Sequence, residues 1–186
     1  MKLSRTLPIL LAGALVAPVA WAQILSLTLE EMVVQTDDAI YGEIVDRSVA
    51  VYDHPVDGPE NYFTTITIRG RSLNDGKEKT VAVVYRGGFL DPEHGVYNSE
   101  APSEDDTKQG NKIVAFYKWT DDMGCEVAGN ALYAAHGGLY RTSTTRRGTV
   151  VLGRGEDYAV SSNMNIESLG AEIKKIAAEK KQERNK

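Results

Sequence analysis

The run from Ala39 to Val51, AIYGEIVDRSVAV, constrains this chain more than any other feature. Its side chains alternate with a period of two. Ile40, Gly42 and Ile44 point one way, and Tyr41, Glu43 and Val45 the other. That is the signature of a β-strand. Gly42 in the middle of it marks a bulge or a tight coil where another backbone passes close. Both are expected where a sheet curls into a small barrel. The strand follows a short amphipathic segment, Thr28 to Thr36, with almost no turn between them. Thr28 and Glu31 have the spacing of a capping box, in which each side chain satisfies an orphan backbone N–H. Leu29, Met32, Val33 and Thr36 fall on one face. Asp37 and Asp38 stop the helix.

More strands follow. Tyr62 to Arg71 alternates Thr64, Ile66 and Ile68 against Thr65, Thr67 and Arg69. Asn74-Asp75-Gly76-Lys77 reads as a hairpin turn, because Asp-Gly supplies the positive φ it needs. Thr80 to Tyr85 returns as an apolar, central strand. Lys112 to Trp119 is another, placing Ile113, Ala115, Tyr117 and Trp119 on one face, so Trp119 is expected to be at least partly buried. Cys125 to Ala135, Leu139 to Thr142 and Gly148 to Leu152 read as three shorter strands, and Tyr158 to Val160 extends the sheet. Asn165 caps a last helix with Ile166, Leu169, Ile173, Ile176 and Ala177 as its apolar stripe. The expected fold class is therefore mainly β with flanking helices: a curled antiparallel sheet or OB-like barrel, a short N-terminal helix and a C-terminal helix.

Residues 1–22 read as a secretory signal peptide. Lys2 and Arg5 precede the apolar run Leu7 to Val19, and Ala20-Trp21-Ala22 ends it as a small-x-small cleavage step. Pro8, Pro18 and the short run argue against a membrane span. Residues 23–182 form a single β-rich domain and 183–186 a frayed tail. The expected location is secreted or periplasmic, with no membrane association after cleavage. Without the leader the chain keeps 19 basic and 26 acidic residues, a net charge of −7. Such a surface repels nucleic-acid phosphates, so nucleic acid is not an expected partner. Cys125 is the sole cysteine and cannot form an internal disulfide. It is expected to be buried.

Several parts of the sequence resemble a widespread group of uncharacterised exported bacterial proteins. The segment SLTLEEMVVQTDDAIYGEIV matches their opening, through Leu29, Met32 and Val33, then Thr36-Asp37, then Gly42-Glu43-Ile44. The Thr-rich strand 64–68, Gly87-Gly88, GNKIVAFY at 110–117 and HGGLYRT at 136–142 fit as well. The layout of that group is similar to the OB-like barrel of netrin-type modules and tissue inhibitors of metalloproteinases. Two departures separate this chain from the inhibitors. SLNDGKEK stands where they have a Leu-Lys-Gly step, and the mature terminus is Gln23 rather than a metal-chelating Cys. The resemblance thus implies a fold and export, and an inhibitor role only by analogy.

No catalytic or metal motif stands out. His54, His94 and His136 lack close ligand spacing, so neither a zinc site nor any other cofactor is expected. The acidic runs 103–106 and 121–122 lack the pattern of a calcium loop. His136-Gly137-Gly138 echoes an oxyanion-hole loop, but no Gly-x-Ser-x-Gly elbow accompanies it, and a glycine turn is the simpler reading. Cys125 with His136 or His94 would be the nucleophile pair of a hydrolase. The favoured reading is a non-enzymatic module that binds an extracellular or periplasmic protein. Its expected contact surface is the long irregular segment Gly87 to Gly110, with Phe89, Leu90, His94 and Tyr97, joined by Arg141. The second half of that segment, Ser99 to Gln109, is polar and acidic and is expected to be mobile.

Overall fold

The computed structural model describes residues 27–184. The expected leader, 1–22, and the last two residues of the expected tail lie outside them. Helix α1 spans Leu29–Gln35, and its capping box is formed as the sequence predicts: the Glu31 amide donates to Thr28 Oγ1 and the Glu31 carboxylate accepts from the Thr28 amide. Ten strands follow, with one 3₁₀ turn at Ala135–Gly138: β1 (Asp38–His54), β2 (Gly58–Ser72), β3 (Glu78–Arg86), β4 (Gly88–Phe89), β5 (Gly95–Val96), β6 (Lys112–Thr120), β7 (Gly129–Leu132), β8 (Leu139–Thr145), β9 (Gly148–Val151) and β10 (Met164–Asn165). Helix α2, Ile166–Arg184, closes the chain.

Five strands close into an OB-like barrel in the order β1-β2-β3-β7-β6, with β6 returning to β1. All neighbours are antiparallel except β3 and β7. Strand β1 makes closure possible because it pairs on both edges: residues 38–43 bond to β6 while 40–54 bond to β2. Gly42 sits opposite Gly70 in that double pairing. A Cβ on Gly70 would lie 2.1 Å from the Tyr41 carbonyl oxygen, and one on Gly42 2.5 Å from the Arg69 carbonyl oxygen. The close backbone approach expected at Gly42 is therefore real, and the β-bulge lies just beyond it, between Ile44 and Asp46.

The barrel interior holds Ile40, Ile44, Ile66, Ile68, Val83, Ile113, Ala115 and Leu139. Strand β6 is buried on both faces: Val114 and Phe116 point outward, into a second core built by Met32 and Val33 of α1 and Ile166, Leu169 and Ile173 of α2. Each such apolar side chain contributes about 1.5–3 kcal/mol when fully buried. The second core is thus what fixes both helices on the barrel wall.

The ends of the barrel are sealed by polar groups. At one end the Lys79 ammonium contacts Asp38 and the Tyr117 hydroxyl, and Ser72 donates to Asp38 at 2.8 Å. Burial disfavours the Lys79 charge, but the bonds to Asp38 and Tyr117 outweigh it and hold its pKa above the ordinary lysine range. At the other end sits the segment expected to be mobile. Ala101 packs on the barrel core, Pro102 and Thr107 are buried, and the Tyr85 hydroxyl donates to Thr107 Oγ1 at 3.3 Å. Gln109 donates to the Val45 carbonyl, and Asp106 lies between Arg141 and Arg154. The acidic side chains are counter-charged, so the segment is a plug. Composition did not show this because the pairing arginines lie 35 residues or more away in sequence.

Three other expectations are corrected. Trp119 is 54 % exposed, because β6 runs past the barrel rim and its indole reaches solvent, donating to Asp121. The expected strand 125–135 shrinks to Gly129–Leu132. Cys125 and Glu126, then Ala134 and Ala135, adopt left-handed backbone that no ladder accommodates. Residues 158–160 form no strand; Val160 is buried against the outer core and receives a turn bond at its carbonyl from Arg154.

Two measurements check this architecture. Gly70→Ala should cost about 1–3 kcal/mol in denaturant unfolding, as an overpacked site does, whereas Gly129→Ala should change little. A Cβ on Gly129 would meet its nearest neighbour, a Val84 methyl, at an ordinary 3.6 Å. Replacing 99–108 by a Gly-Ser linker should lower stability by about 2 kcal/mol or more, since it uncaps the barrel end; an unchanged midpoint would refute the plug.

Candidate functional site

Apart from Val34 and Trp119, the exposed large apolar side chains lie on the β1–β2 hairpin and on the 88–97 segment beside it. The β2–β3 ladder ends at Phe63, opposite Ala50, and beyond that point β1 and β2 continue as a projecting hairpin whose tip is residues 55–57. Val51, Tyr52 and Val56 are exposed along it. Strands β4 and β5 form a second, two-stranded hairpin that leans on β2. Gly88 permits this contact: a Cβ there would stand 2.1 Å from Thr64 Oγ1. Thr64 in turn donates to the Gly87 carbonyl at 2.6 Å.

The β4–β5 hairpin carries three of the five residues expected to meet a partner, and a fourth, Tyr97, directly follows it. Phe89 is 37 % exposed and Leu90 56 %. Phe89 lies across Gly95, where a Cβ would meet its ring at 2.5 Å. His94 does a structural job. Its Nδ1 lies 2.9 Å from both Asp91 carboxylate oxygens, and Asp91 also accepts from the Glu93 and His94 amides. The His94 hydrogen bond holds the Asp91 carboxyl below its usual range, helped by the Glu93 amide. Tyr97 follows the hairpin and is 80 % exposed.

Tyr97 divides two clefts. The first, of about 380 Å³, lies between Glu60, Tyr62, Arg86, Val96, Tyr97 and Asn98. Burial raises the Tyr62 hydroxyl above its ordinary pKa, and the carboxylates of Glu60, Asp91 and Asp53 add to that. The second, of about 200 Å³, runs between Arg47, Tyr85, Phe89, Tyr97 and Pro102. Arg141 lines neither cleft. It stands on β8, with its Nε 3.5 Å from Asp106, so the structure assigns it to the plug and separates it from the β4–β5 group.

The other candidates resolve into structural roles. His136 is fixed by the Glu100 carbonyl and the Tyr158 hydroxyl, at 3.1 and 3.0 Å, and Gly138 is required because a Cβ would lie 1.9 Å from the Tyr133 carbonyl oxygen. Cys125 is buried, as expected, with Phe63 and Val84 under the 121–128 loop. Its amide donates to Asp57 at 2.7 Å, and Asp57 also meets His54 Nδ1 at 3.1 Å. Burial pushes the Cys125 thiol up, and the Asp57 carboxylate adds to the effect. That is the reverse of what an activated thiolate needs. Among the described residues, no three His, Cys, Asp or Glu side chains group as metal ligands.

Sequence reasoning missed the projecting hairpin. The sequence reading ends the first strand at Val51 and starts the next at Tyr62, but the β-favouring run Val49 to Tyr52 carries β1 on to His54 and β2 begins at Gly58. Comparison of the chain with family models, with curated proteins and with solved structures found no match. The residues themselves therefore carry the functional argument.

Iodoacetamide should label Cys125 in the folded protein at neutral pH at least about tenfold more slowly than in the unfolded chain, because the thiolate fraction and access are both low. Equal rates in the two states would contradict the burial.

Proposed function

We propose that the protein is an exported, non-enzymatic interaction module that binds another extracellular or periplasmic protein through the β4–β5 hairpin and the clefts beside Tyr97. The observation that carries this reading is the exposure of Phe89, Leu90, Val96 and Tyr97 on one small hairpin. Large apolar and aromatic side chains grouped on a surface are characteristic of protein contacts. Tyr97 offers both a broad ring and a hydroxyl tip, a combination favoured at interfaces. The hairpin is held by backbone pairing and by the Asp91–His94 staple, so little ordering is required when a partner binds.

The face of β2 and β3 that barrels of this kind often use for binding is less open here. Phe63 and Val84 on that face are buried beneath Met123, Cys125 and Val127. The raised Cys125 thiol and its carboxylate neighbour favour binding over nucleophilic chemistry.

Tyr97→Ala decides the matter. The variant should keep its thermal midpoint within about 2 °C, since an exposed side chain contributes little to stability. It should lose at least about tenfold in affinity for a partner captured from the extracytoplasmic fraction, as an aromatic hot spot does. Equal capture by Tyr97→Ala and Leu90→Ala variants would move the contact surface elsewhere.

A further inference from the structure

The outer edge of β1 is a second surface, and its sequence complements itself. Pairing with β6 ends at Glu43; on that edge the Ile44 amide then donates to the Asn111 carbonyl, the Ile44 carbonyl accepts from the Gly110 amide, and the Val45 carbonyl accepts from the Gln109 side chain. From Asp46 to Asp53 every backbone pairing of β1 is with β2. The direction of the free groups follows from one bond. The Tyr62 carbonyl accepts from Gly87 and so faces β3. Its partner Val51 is therefore in a non-hydrogen-bonded pair, and the Val51 N–H and C=O point away from β2. By the period of two, those of Val49 and Arg47 point out as well. The register shifts at Ile44/Asp46 and Tyr52/His54 bound the segment and leave it regular between them. Ser48, Ala50, Val51 and Tyr52 are exposed along it.

We propose that two copies of this chain pair antiparallel through this edge, with the twofold axis at Ala50. In that register Val49 faces Val51 and Ser48 faces Tyr52 within the regular segment, and Arg47 faces Asp53 of the second copy at its end, each contact occurring twice. Val49 and Val51 supply the hydrogen-bonded pairs, which the outward direction of their backbone groups requires. Neighbouring registers that keep this direction lose the charge match. An axis at Val49 sets Arg47 against Val51, and an axis at Val51 sets Val49 against Asp53. Opposite charges directly across an antiparallel pair stabilise it, and the wrong juxtapositions disfavour the alternatives. Arg47 already bonds Glu104 through one terminal nitrogen at 3.2 Å, and Asp53 uses one carboxylate oxygen to accept from the Glu60 amide. Each group retains capacity for a second partner. Exposed edges are commonly guarded by charged residues, a proline or a bulge. Here the centre, Ser48 to Tyr52, has none of these. Arg47 also lines the second cleft beside Tyr97, whereas Val51 and Asp53 line neither cleft, so the Val51 and Asp53 variants test this edge apart from the Tyr97 surface.

Sedimentation velocity of the purified protein across about 1 to 100 µM tests the proposal, a range suited to a small interface. A reversible dimer is expected. Val51→Pro removes only an outward N–H and should raise the dimer dissociation constant at least about tenfold, with an unchanged circular dichroism spectrum. Asp53→Lys should raise it about tenfold, and adding Arg47→Glu should bring it back to within about threefold of the parent, because the pair is then reversed rather than broken. The charge pair decides the question if Val51→Pro fails to fold. A monomer throughout, as an edge filled by a different protein would give, overturns the proposal. So does a dimer indifferent to Val51→Pro, or a double variant that does not recover.

Discussion

The close approach of β1 and β2 at Gly42 and Gly70 is the contact on which the rest of the structure depends. A strand can turn from one sheet neighbour to the next only if its backbone coils sharply, and side chains at the crossing would prevent it. With a Cβ absent at both positions, Tyr41 and Arg69 carbonyls occupy the space. Strand β1 then bonds β6 on one edge while it still bonds β2 on the other. Closure follows, and with it an interior lined by isoleucines.

Closure also decides where everything else must go. A barrel of five strands leaves β6 with an apolar outer face, and α1 and α2 bury it. It leaves two open ends. The Asp38, Lys79 and Tyr117 group closes one, and residues 101–109 close the other. Buried polar groups of this kind are tolerable only when bonded, and these are. Because β1 and β2 are longer than the barrel is tall, their surplus projects as a hairpin. The functional surfaces proposed for this protein are consequences of that surplus: one where the β4–β5 hairpin leans on it, the other along its unpaired edge.

The strand pattern was legible where alternation was strict, as in 62–71 and 112–117, and the two helices were legible from their stripes and from the Thr28 cap. The departures share a cause. Residues 99–109 look mobile in isolation because their counter-charges, Arg47, Arg141 and Arg154, come from segments distant in sequence. Trp119 looks at least partly buried because its strand-mates are, but the β1–β6 ladder ends at Tyr117, and beyond it β6 has a neighbour only in β7. Cys125 to Ala135 looks like strand because composition carries no sign of four left-handed residues outside glycine. Among the candidate contact residues, Phe89, Leu90 and Tyr97 were identifiable as aromatic and apolar residues in a long connection. That His94 staples a turn and Arg141 pins a plug was not identifiable.

The sequence by itself determined the class of fold, because period-two alternation, a glycine inside the first long strand and an amphipathic closing helix have few other solutions. It determined the net negative charge and the single thiol as well. Tertiary structure alone decided which long strand bonds on both edges, which loop becomes a plug, and which apolar residues remain in water. Those outcomes depend on partners 20 to 100 residues apart, and local pattern holds no record of a pairing that only chain closure brings about.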